Sequence, residues 1–350
     1  MILLSSNDLF IGAFFYFATV KKILIIQTAF IGDVVLATAV VEKLRQHFPD
    51  AGMDFLLRKG NENILEGHPH IRKIWVWDKR SGKLLNWLKL LVAARRERYD
   101  LVVNLHRFIS SGLFTVLSDA KTTTGFDKNP LSILFTQKVS HRIGEGSAMI
   151  HEVDRNLSLI AAWTDSERAR PKIYLTAQDY GKHNMTGKYI TISPASIWKT
   201  KQYPSEKWVS FMDRVGERTT ICLLGSPADV ALCEAIRQKT RHPNTVNLAG
   251  QLTLRESAAL MTGAVMNYTN DSAPLHLATA VNAPVTAVFC STVPSFGFGP
   301  LSDISFVLET TEKLSCRPCG LHGKNACPQG HFKCAGFELP TLLQSSNKST

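Results

Sequence analysis

The sequence lacks an apolar run long enough to span a bilayer, for which about 20 residues are needed. Its most apolar stretch, "LFIGAFFYFATV", lies within residues 1–20 and is too short. No positive charge precedes this stretch and no small-residue cleavage site is clear, so the sequence does not support an export signal. A leading extension, a membrane-touching segment and a mis-assigned start codon all fit this apolar leader, and we exclude it from the fold argument.

Acidic residues are scarce relative to basic ones. The chain of 350 residues has 29 Asp and Glu against 40 Lys and Arg, for a formal charge of +11. This balance favours an anionic partner: nucleic acid, acidic lipid headgroups or a phosphorylated substrate. Low-complexity tracts are also absent, and the length suits two globular domains rather than one core.

Cysteine is unevenly distributed. Cys222, Cys233 and Cys290 lie in apolar runs, so we expect buried thiols. The other four fall in "CRPCGLHGKNACPQGHFKC", which also contains two histidines: Cys316, Cys319, Cys327, Cys334, His322 and His331. Disulfides are not the default without an export signal. The ligand types and partial spacing fit a structural zinc ion, and a metal-free segment is the alternative.

What the chain does have is a regular alternation of short β-rich runs and amphipathic helical runs. In the first half, "KILIIQ", "MDFLL", "KIWVW" and "DLVVNL" are candidate strands, and residues 34–48 and 83–97 are candidate helices. The same alternation of strand and helix candidates continues from "KYITIS" to "APVTAVFC". Apolar strands separated by helices predict parallel sheets covered on both faces. We therefore predict two doubly wound α/β domains, joined within residues 162–187.

Ligands in such sheets bind beyond the carboxyl ends of the strands, so the strand-to-helix loops are the place to look for function. The first loop, "QTAFIGD", has Gly32 and Asp33 at a helix start. It lacks G-x-G-x-x-G, so a dinucleotide fingerprint is not supported. Asp is a favoured helix cap, and from this loop alone Asp33 is as readily a cap as a catalyst.

Two further loops carry polar side chains after strands. In "SPASIWKTKQYPSEKW", the hydroxyl of Ser196 and the cations of Lys199 and Lys201 suit a phosphate, and a solvated basic loop is the alternative. In "GSPADV", Asp229 could bind ribose hydroxyls, and compensation of a helix dipole explains it equally well.

The loop "YTNDSAPLHLATA" is the most informative. Asp271, Ser272, Ala273 and His276 lie at the start of a helix, with Pro at an early helical position. The free N–H groups of 272–274 predict an anion site, and Asp271 would then bind sugar hydroxyls rather than oppose the phosphate. A heavily capped helix with a core histidine is the alternative.

Taken together, these loops resemble those of glycosyltransferase family 9, the ADP-heptose:lipopolysaccharide heptosyltransferases. The resemblance covers about residues 22–335 and is carried by "KILIIQTAFIGDVVLATAVVEKLRQHFPD", "YDLVVNLH", "WKTKQYPSEKW", "NDSAPLHLATA" and the cysteine-rich segment. It implies a GT-B fold, in which two Rossmann-like domains face a central cleft. On that basis we assign residues 21–170 to an acceptor-binding domain, 171–340 to a nucleotide-sugar-binding domain and 341–350 to a tail.

The resemblance also implies an inverting, metal-independent transfer of heptose from ADP-heptose to an anionic glycolipid, without a cofactor. Asp33 matches the family's catalytic acid, Lys201 its phosphate-contacting lysine, and Asp229 loosely its ribose-binding acid. Asp271, Ala273 and His276 match the donor motif D-x-G-x-x-H, with Ala in place of the usual Gly, and Ser196 lies near its hydroxyl positions.

The basic N-terminal half fits an anionic acceptor. Arg58, Lys59 and Arg107 border strand ends and are our candidate acceptor contacts, with a solvated basic surface as the alternative. We expect a cytoplasmic enzyme, with contact at the inner face of the cytoplasmic membrane left open. A GT-B nucleotide-sugar epimerase and a non-enzymatic nucleic-acid-binding protein are the competing functions. The chain lacks recognisable nucleic-acid recognition modules, so we expect no nucleic-acid partner.

Overall fold

The computed structural model describes residues 20–143, 149–181 and 185–340. The apolar leader up to residue 19 and the tail 341–350 lie outside the described residues. By its internal contacts the chain divides into two units. The first holds residues up to Arg142 together with Val153–Pro171, and the second holds Ile143–Glu152 together with the chain from Lys172 onward.

The first unit is a parallel sheet with helices on its faces. Its strands are β1 (Lys22–Ile26), β2 (Gly52–Arg58), β3 (Ile71–Trp77), β4 (Leu101–Asn104), β5 (Thr122–Phe126) and β6 (Gln137–Val139). Its helices are α1 (Ile31–His47), α2 (Lys83–Glu97) and α3 (Ile109–Leu117), and α4 (Glu152–Ser158) begins at the junction with the second unit. The strand order is β3-β2-β1-β4-β5-β6.

The second unit is built in the same way. Its strands are β7 (Tyr189–Ser193), β8 (Thr220–Leu223), β9 (Thr245–Asn247), β10 (Met266–Asn270), β11 (Val285–Phe289) and β12 (Ser305–Glu309). Its helices are α5 (Ala177–Tyr180), α6 (Ser205–Met212), α7 (Val230–Lys239), α8 (Leu254–Gly263) and α9 (Ala273–Ala280). The strand order is β12-β11-β10-β7-β8-β9, again parallel.

Both sheets have the same topology. If the strands of the second unit are numbered from one to six in chain order, their order across the sheet is 6-5-4-1-2-3, which is the order of the first sheet read from its other edge. In each sheet the direction of winding reverses between the first and fourth strands, which are β1 and β4 in one unit and β7 and β10 in the other. The loops after these strands flank a topological switch point, the usual ligand position in open α/β sheets. The predicted α/β, doubly wound fold class is confirmed.

Buried apolar side chains explain why the central strands pair. All of the residues of β4, β7 and β11 are buried, as expected for strands covered on both faces. In the first unit, Trp75 and Trp77 of β3 belong to the same buried cluster as Trp87 of α2 and Phe114 of α3. In the second unit, Tyr203, Trp208, Phe211 and Tyr268 form the corresponding aromatic core, against which the segment Cys334–Leu339 packs.

Most predicted elements are present with shifted ends. The helix predicted over 83–97 coincides with α2, whereas the helix predicted from residue 34 begins at Ile31. Asp33 is therefore the third residue of α1. No helix within the described residues is long and apolar enough to cross a membrane.

Candidate active site

In the second unit, the loops after β7 and β10 are held together by Asn270, the last residue of β10. Its side-chain Nδ2 donates to the carbonyl of Pro194 at 2.8 Å, and its Oδ1 accepts from the backbone N–H of Tyr203 at 2.9 Å. These bonds join two loops that are more than sixty residues apart in sequence. The side chains on both loops are thereby brought to one switch point.

The main feature of this switch point is an ion pair between Lys201 and Asp271. Lys201 Nζ lies 2.6 Å from Asp271 Oδ2, and the two side chains are only 14% and 7% exposed. The hydroxyl of Thr292 donates to the same carboxylate oxygen at 2.7 Å. Lys201 ends a short 3-10 turn, Lys199–Lys201, that follows β7. The structure thus places two predicted donor-binding residues in direct contact.

Helix α9 begins beside this pair. Ser272 is its N-cap residue in an extended conformation, and Ala273 and Pro274 open the helix. The first N–H groups of a helix have no partner within the helix, so they can donate to an anion. Pro274 has no N–H, so the predicted phosphate donors at 272–274 reduce to the backbone amides of Ser272 and Ala273. These two residues follow Asp271 directly in the chain, and Asp271 contacts Lys201.

His276 is buried one turn into α9. Burial lowers its pKa to about 4, against the opposing influence of Asp271, so the ring is neutral at pH 7. Among the described residues, its Nδ1 has no hydrogen-bond partner. A buried polar atom of this kind usually has a ligand or partner in the working state of a protein.

The other two predicted donor residues lie at the same edge of the sheet. Ser196 is half-buried, and its carbonyl accepts from the side chain of Gln202 at 2.7 Å. Asp229 follows β8, the strand next to β7, and its Oδ2 accepts from the backbone N–H and the hydroxyl of Ser226 at 2.8 and 2.6 Å. Asp229 therefore caps its own turn.

In the first unit, Asp33 also caps its own helix. Its Oδ2 accepts from the backbone N–H of Phe30 at 3.1 Å, and the side chain is half-buried. The guanidinium of Arg58 lies over the ring of Phe30, 4.7 Å from the ring centre, and interacts electrostatically with Asp33. Burial lowers the pKa of Arg58. The cap is present, and it leaves Asp33 next to a cation at the carboxyl end of β1.

The switch point of the first unit also contains two residues that sequence reasoning did not select. Lys79 Nζ donates to the carbonyl of Thr28 at 2.8 Å, and the Thr28 hydroxyl is hydrogen-bonded to His106 Nδ1 at 3.1 Å. Burial, then Arg58 and Lys83, lower the pKa of Lys79 to about 8.

Burial, then Lys79 and Arg107, lower the pKa of His106 to about 4. Perturbed titratable groups at the end of a sheet are typical of functional sites. Both residues come directly after strands, in "WVWDK" and "VVNLH", and that position is the signal that would have identified them.

The predicted acceptor contacts differ in their surroundings. Arg58 is half-buried, as described above. Lys59 is 64% exposed and pairs with Asp78 at 2.9 Å. Arg107 is exposed, with its guanidinium 5.6 Å from the centre of the Phe108 ring. All three lie at the carboxyl edge of the sheet, because they end or follow β2 and β4.

Cys222, Cys233 and Cys290 are buried, as expected, and Cys334 of the C-terminal segment is buried as well. In the C-terminal segment, Cys316 Sγ lies 3.9 Å from His331 Nε2, and Cys319 donates to the carbonyl of Cys316. Throughout the described residues, no three His, Cys, Asp or Glu side chains are placed to bind one metal ion. The zinc site considered for Cys316, Cys319, Cys327 and Cys334 stays a prediction.

Comparison with known proteins bears on the family and the fold. Residues 87–324 match the sequence model of glycosyltransferase family 9 (heptosyltransferase). Lipopolysaccharide heptosyltransferase 3 of Escherichia coli is 27% identical over 279 residues, which cover 75% of this chain and 82% of that protein.

Two solved structures are similar in fold. A glycosyl transferase family 9 protein from Veillonella parvula has a TM-score of 0.73 and 22% identity, covering 83% of this chain and 86% of the other. The E. coli ADP-heptose lps heptosyltransferase II has a TM-score of 0.72 and 20% identity, covering 85% and 96%. The predicted GT-B fold is confirmed.

Proposed function

The chain belongs to glycosyltransferase family 9, and we propose that it transfers a heptose from ADP-heptose to the inner core of lipopolysaccharide. It is a glycosyltransferase, and its curated relatives are lipopolysaccharide or lipooligosaccharide heptosyltransferases from several bacteria. The donor is inferred from solved relatives described as ADP-heptose enzymes or as complexes with an ADP-heptose analogue. Family membership disfavours the epimerase and the nucleic-acid-binding alternatives.

The observation that carries the proposal is the Lys201–Asp271 pair beside the start of α9. We assign the diphosphate to Lys201, the Ser196 region and the amides of Ser272 and Ala273, and the sugar hydroxyls to Asp271. One further negative charge develops on the diphosphate of the departing ADP, and preorganised donors at that point stabilise it. His276, Ala273 and Asp229 complete the proposed donor site, with Asp229 nearest the ribose. This assignment makes the second unit the donor domain.

Asp33 is the proposed general base. An acceptor hydroxyl attacks the anomeric carbon of the heptose, the bond from that carbon to the diphosphate oxygen breaks, and the hydroxyl proton passes to the Asp33 carboxylate. The configuration at the anomeric carbon inverts, because attack and departure occur on opposite faces. One carboxylate suffices for this single displacement, in contrast to the pair used by most glycosidases.

The acceptor would bind the first unit through its cations. Arg58, Lys59 and Arg107 are the predicted contacts, and we add Lys79, whose partial burial strengthens its interaction with a carboxylate or phosphate. Lipopolysaccharide inner cores carry both groups. We further propose that the enzyme acts in the cytoplasm at the inner face of the cytoplasmic membrane, where such an acceptor is exposed.

The test is a transfer assay on the purified full chain. ADP-heptose and a truncated core acceptor should give a product heavier by one heptose by mass spectrometry, together with free ADP. UDP-glucose and GDP-mannose serve as matched donors and should give little product. Release of ADP without an acceptor-linked sugar, or interconversion of the donor alone, would contradict the proposal.

A further inference from the structure

Helix α2 in the first unit exposes a stripe of large apolar side chains. Leu84, Leu88 and Val92 are 68%, 43% and 51% exposed, and Leu85 beside them is 67% exposed. Residues four apart lie on the same side of a helix, so these four side chains form one surface. The adjacent side of α2 is buried through Trp87, Leu91 and Ala94. The helix is therefore apolar on two sides, and core packing accounts for only one of them.

Helix α3 repeats this arrangement. Ile109, Leu113 and Leu117, again four residues apart, are 56%, 40% and 40% exposed. The two helices lie side by side: Trp87 Nε1 donates to the carbonyl of Ser110 at 3.2 Å, and Arg95 donates to the carbonyl of Leu117 at 3.0 Å. We call the exposed apolar residues of α2 and α3 named here the α2–α3 surface.

More apolar side chains lie at the carboxyl edge of the same sheet, where α2 and α3 begin. Phe30 follows β1 and Phe108 follows β4, and these rings are 51% and 54% exposed. Ile133 and Leu134, in the loop after β5, are 82% and 59% exposed. The side chain of Asn129 in that loop donates to the carbonyl of Phe108 at 3.1 Å, which holds the loop against the start of α3. The apolar area thus extends to the edge that contains the proposed acceptor contacts.

Positive charge surrounds the α2–α3 surface. Residues 79–98 contain seven Lys and Arg but one acid, Glu97. That acid is engaged elsewhere, by Lys22 at 3.0 Å and Arg72 at 2.7 Å. Lys89 and Arg96 are exposed and lie one turn after Leu85 and Val92, so the cations border the apolar stripe. Long basic side chains in this position can extend their charges outward while their stems cover apolar area.

We propose that the α2–α3 surface docks on an anionic lipid bilayer. Exposed apolar patches of this extent mark interaction sites, and apolar side chains bordered by lysine and arginine suit the headgroup region of an acidic membrane. A second copy of this chain is a poorer occupant, because the same cations would face each other. Docking would hold the carboxyl edge of the first sheet at the headgroups, and its benefit for transfer rests on the proposed function, in which the acceptor is a glycolipid.

The test compares full-length variants in vesicle flotation. The variant L84Q/L85Q/L88Q keeps good helix formers in α2 and removes the apolar stripe. The matched control V246Q/I304Q changes exposed apolar residues of the second unit, which are 39% and 55% exposed. The probes are vesicles of phosphatidylglycerol with phosphatidylethanolamine, and vesicles of phosphatidylcholine alone.

We expect wild type and the control variant to float with the anionic vesicles and much less with phosphatidylcholine. The L84Q/L85Q/L88Q variant should lose at least about tenfold in vesicle affinity, since each exposed leucine adds to the buried apolar area. Its thermal unfolding midpoint, and its turnover on a lipid-free core oligosaccharide, should stay near wild type. Its turnover on the same acceptor embedded in vesicles should fall.

Three results would overturn the proposal. Wild type could fail to float with anionic vesicles, or the triple variant could float as well as wild type, which would move any docking to another part of the chain. Light scattering could instead show a wild-type dimer that the triple variant dissociates, which would make a second copy the occupant. Vesicle binding is measured without turnover, so a failed transfer assay would contradict the proposed function alone.

Discussion

The switch point of the first unit carries cations in excess, whereas that of the second unit holds a cation already paired with a carboxylate. In the first, Arg58 is close enough to lower the pKa of Lys79, and Asp33 opposes the effect of burial and of Arg80 on the pKa of Arg58. In the second, Lys201 and Asp271 neutralise each other at 2.6 Å. Two sheets with the same strand order therefore differ in the charge at their switch points.

The difference bears on how each unit could receive a charged ligand. An uncompensated cationic edge attracts anions over a distance of about one Debye length, roughly 8 Å at physiological salt. A buried ion pair attracts little from a distance, and a diphosphate must take over or share the lysine from the aspartate. The first unit would therefore attract anionic ligands from a distance, and the second would select a ligand that can compete with Asp271 for Lys201.

The largest effect should come from Asp33, whose role as cap and role as base can be separated. Asp33→Asn keeps an oxygen that accepts the N–H of Phe30 and removes the basic carboxylate. Turnover should fall by about 10²- to 10⁴-fold, the usual contribution of a general base, with a near wild-type unfolding midpoint and unchanged ADP affinity.

Asp33→Ala is the matched variant, because it removes the cap as well. It should lose turnover to the same degree and, in addition, about 1 kcal/mol of stability. Steady-state kinetics and thermal unfolding measure both effects. Turnover of Asp33→Asn within a few-fold of wild type would leave Asp33 as a cap only.

The next effect concerns the paired lysine. Lys201→Ala should weaken ADP binding by roughly 10- to 150-fold, because a hydrogen bond to a charged group contributes about 1.5–3 kcal/mol. The loss has two parts: the cation is removed, and the Asp271 carboxylate, 7% exposed, is left to repel the diphosphate. Isothermal titration calorimetry with ADP gives the affinity.

The double variant K201A/D271N separates these parts. If the freed carboxylate repels the diphosphate, the double variant should bind ADP more tightly than Lys201→Ala alone, although more weakly than wild type. An ADP affinity unchanged in Lys201→Ala would remove Lys201 from the donor site, whatever the double variant does.

A smaller effect, which depends on pH, is expected on the KM for the acceptor. With a pKa of about 8, Lys79 loses its charge in mildly alkaline solution. The KM for the anionic acceptor should therefore rise above pH 8, by at most about tenfold per pH unit. Lys79→Arg should keep a low KM to higher pH, since arginine stays protonated. The KM for ADP-heptose in the same series is the control, and identical acceptor profiles for wild type and Lys79→Arg would contradict the role.

Lys79 also makes a signed prediction for stability. Its folded pKa lies below that of an unfolded lysine, about 10.4, so the unfolded chain binds more protons between pH 8 and 10.4. This group therefore favours folding increasingly as pH rises through that window. Lys79→Met should flatten this part of the stability profile, measured by denaturant unfolding at several pH values.

The predicted fold was accurate where apolar periodicity was strong. Helix α2 coincided with its predicted range, and the central strands were recognised as apolar runs. Strand β5, "TTTGF", was missed because three threonines hide a buried strand; Thr124, for example, satisfies its hydroxyl with the carbonyl of Leu159 at 3.0 Å. Strand β12 was missed because it is an edge strand with exposed residues.

The candidate site residues were selected from the sequence one loop at a time, but the contacts between loops were not predictable. Lys201 and Asp271 meet because β7 is next to β10, a pairing of non-consecutive strands that spacing along the chain does not reveal. Lys79 was overlooked because a lysine in a basic stretch is usually solvated. Its burial depends on Trp77 and Thr28, which lie on different strand ends.

The smallest expected change in the acceptor KM comes from Lys59, one of two neighbouring cations at the end of β2. Lys59 is 64% exposed and paired with Asp78, and interactions of exposed charges are weak and screened by salt. Lys59→Ala should therefore change the acceptor KM by less than about threefold, and 0.5 M salt should remove the difference. Arg58→Ala should raise the KM more and in a less salt-dependent way, because its guanidinium is half-buried over Phe30 beside Asp33. If Lys59→Ala has the larger effect, the acceptor binds the outer surface of the first unit rather than its switch point.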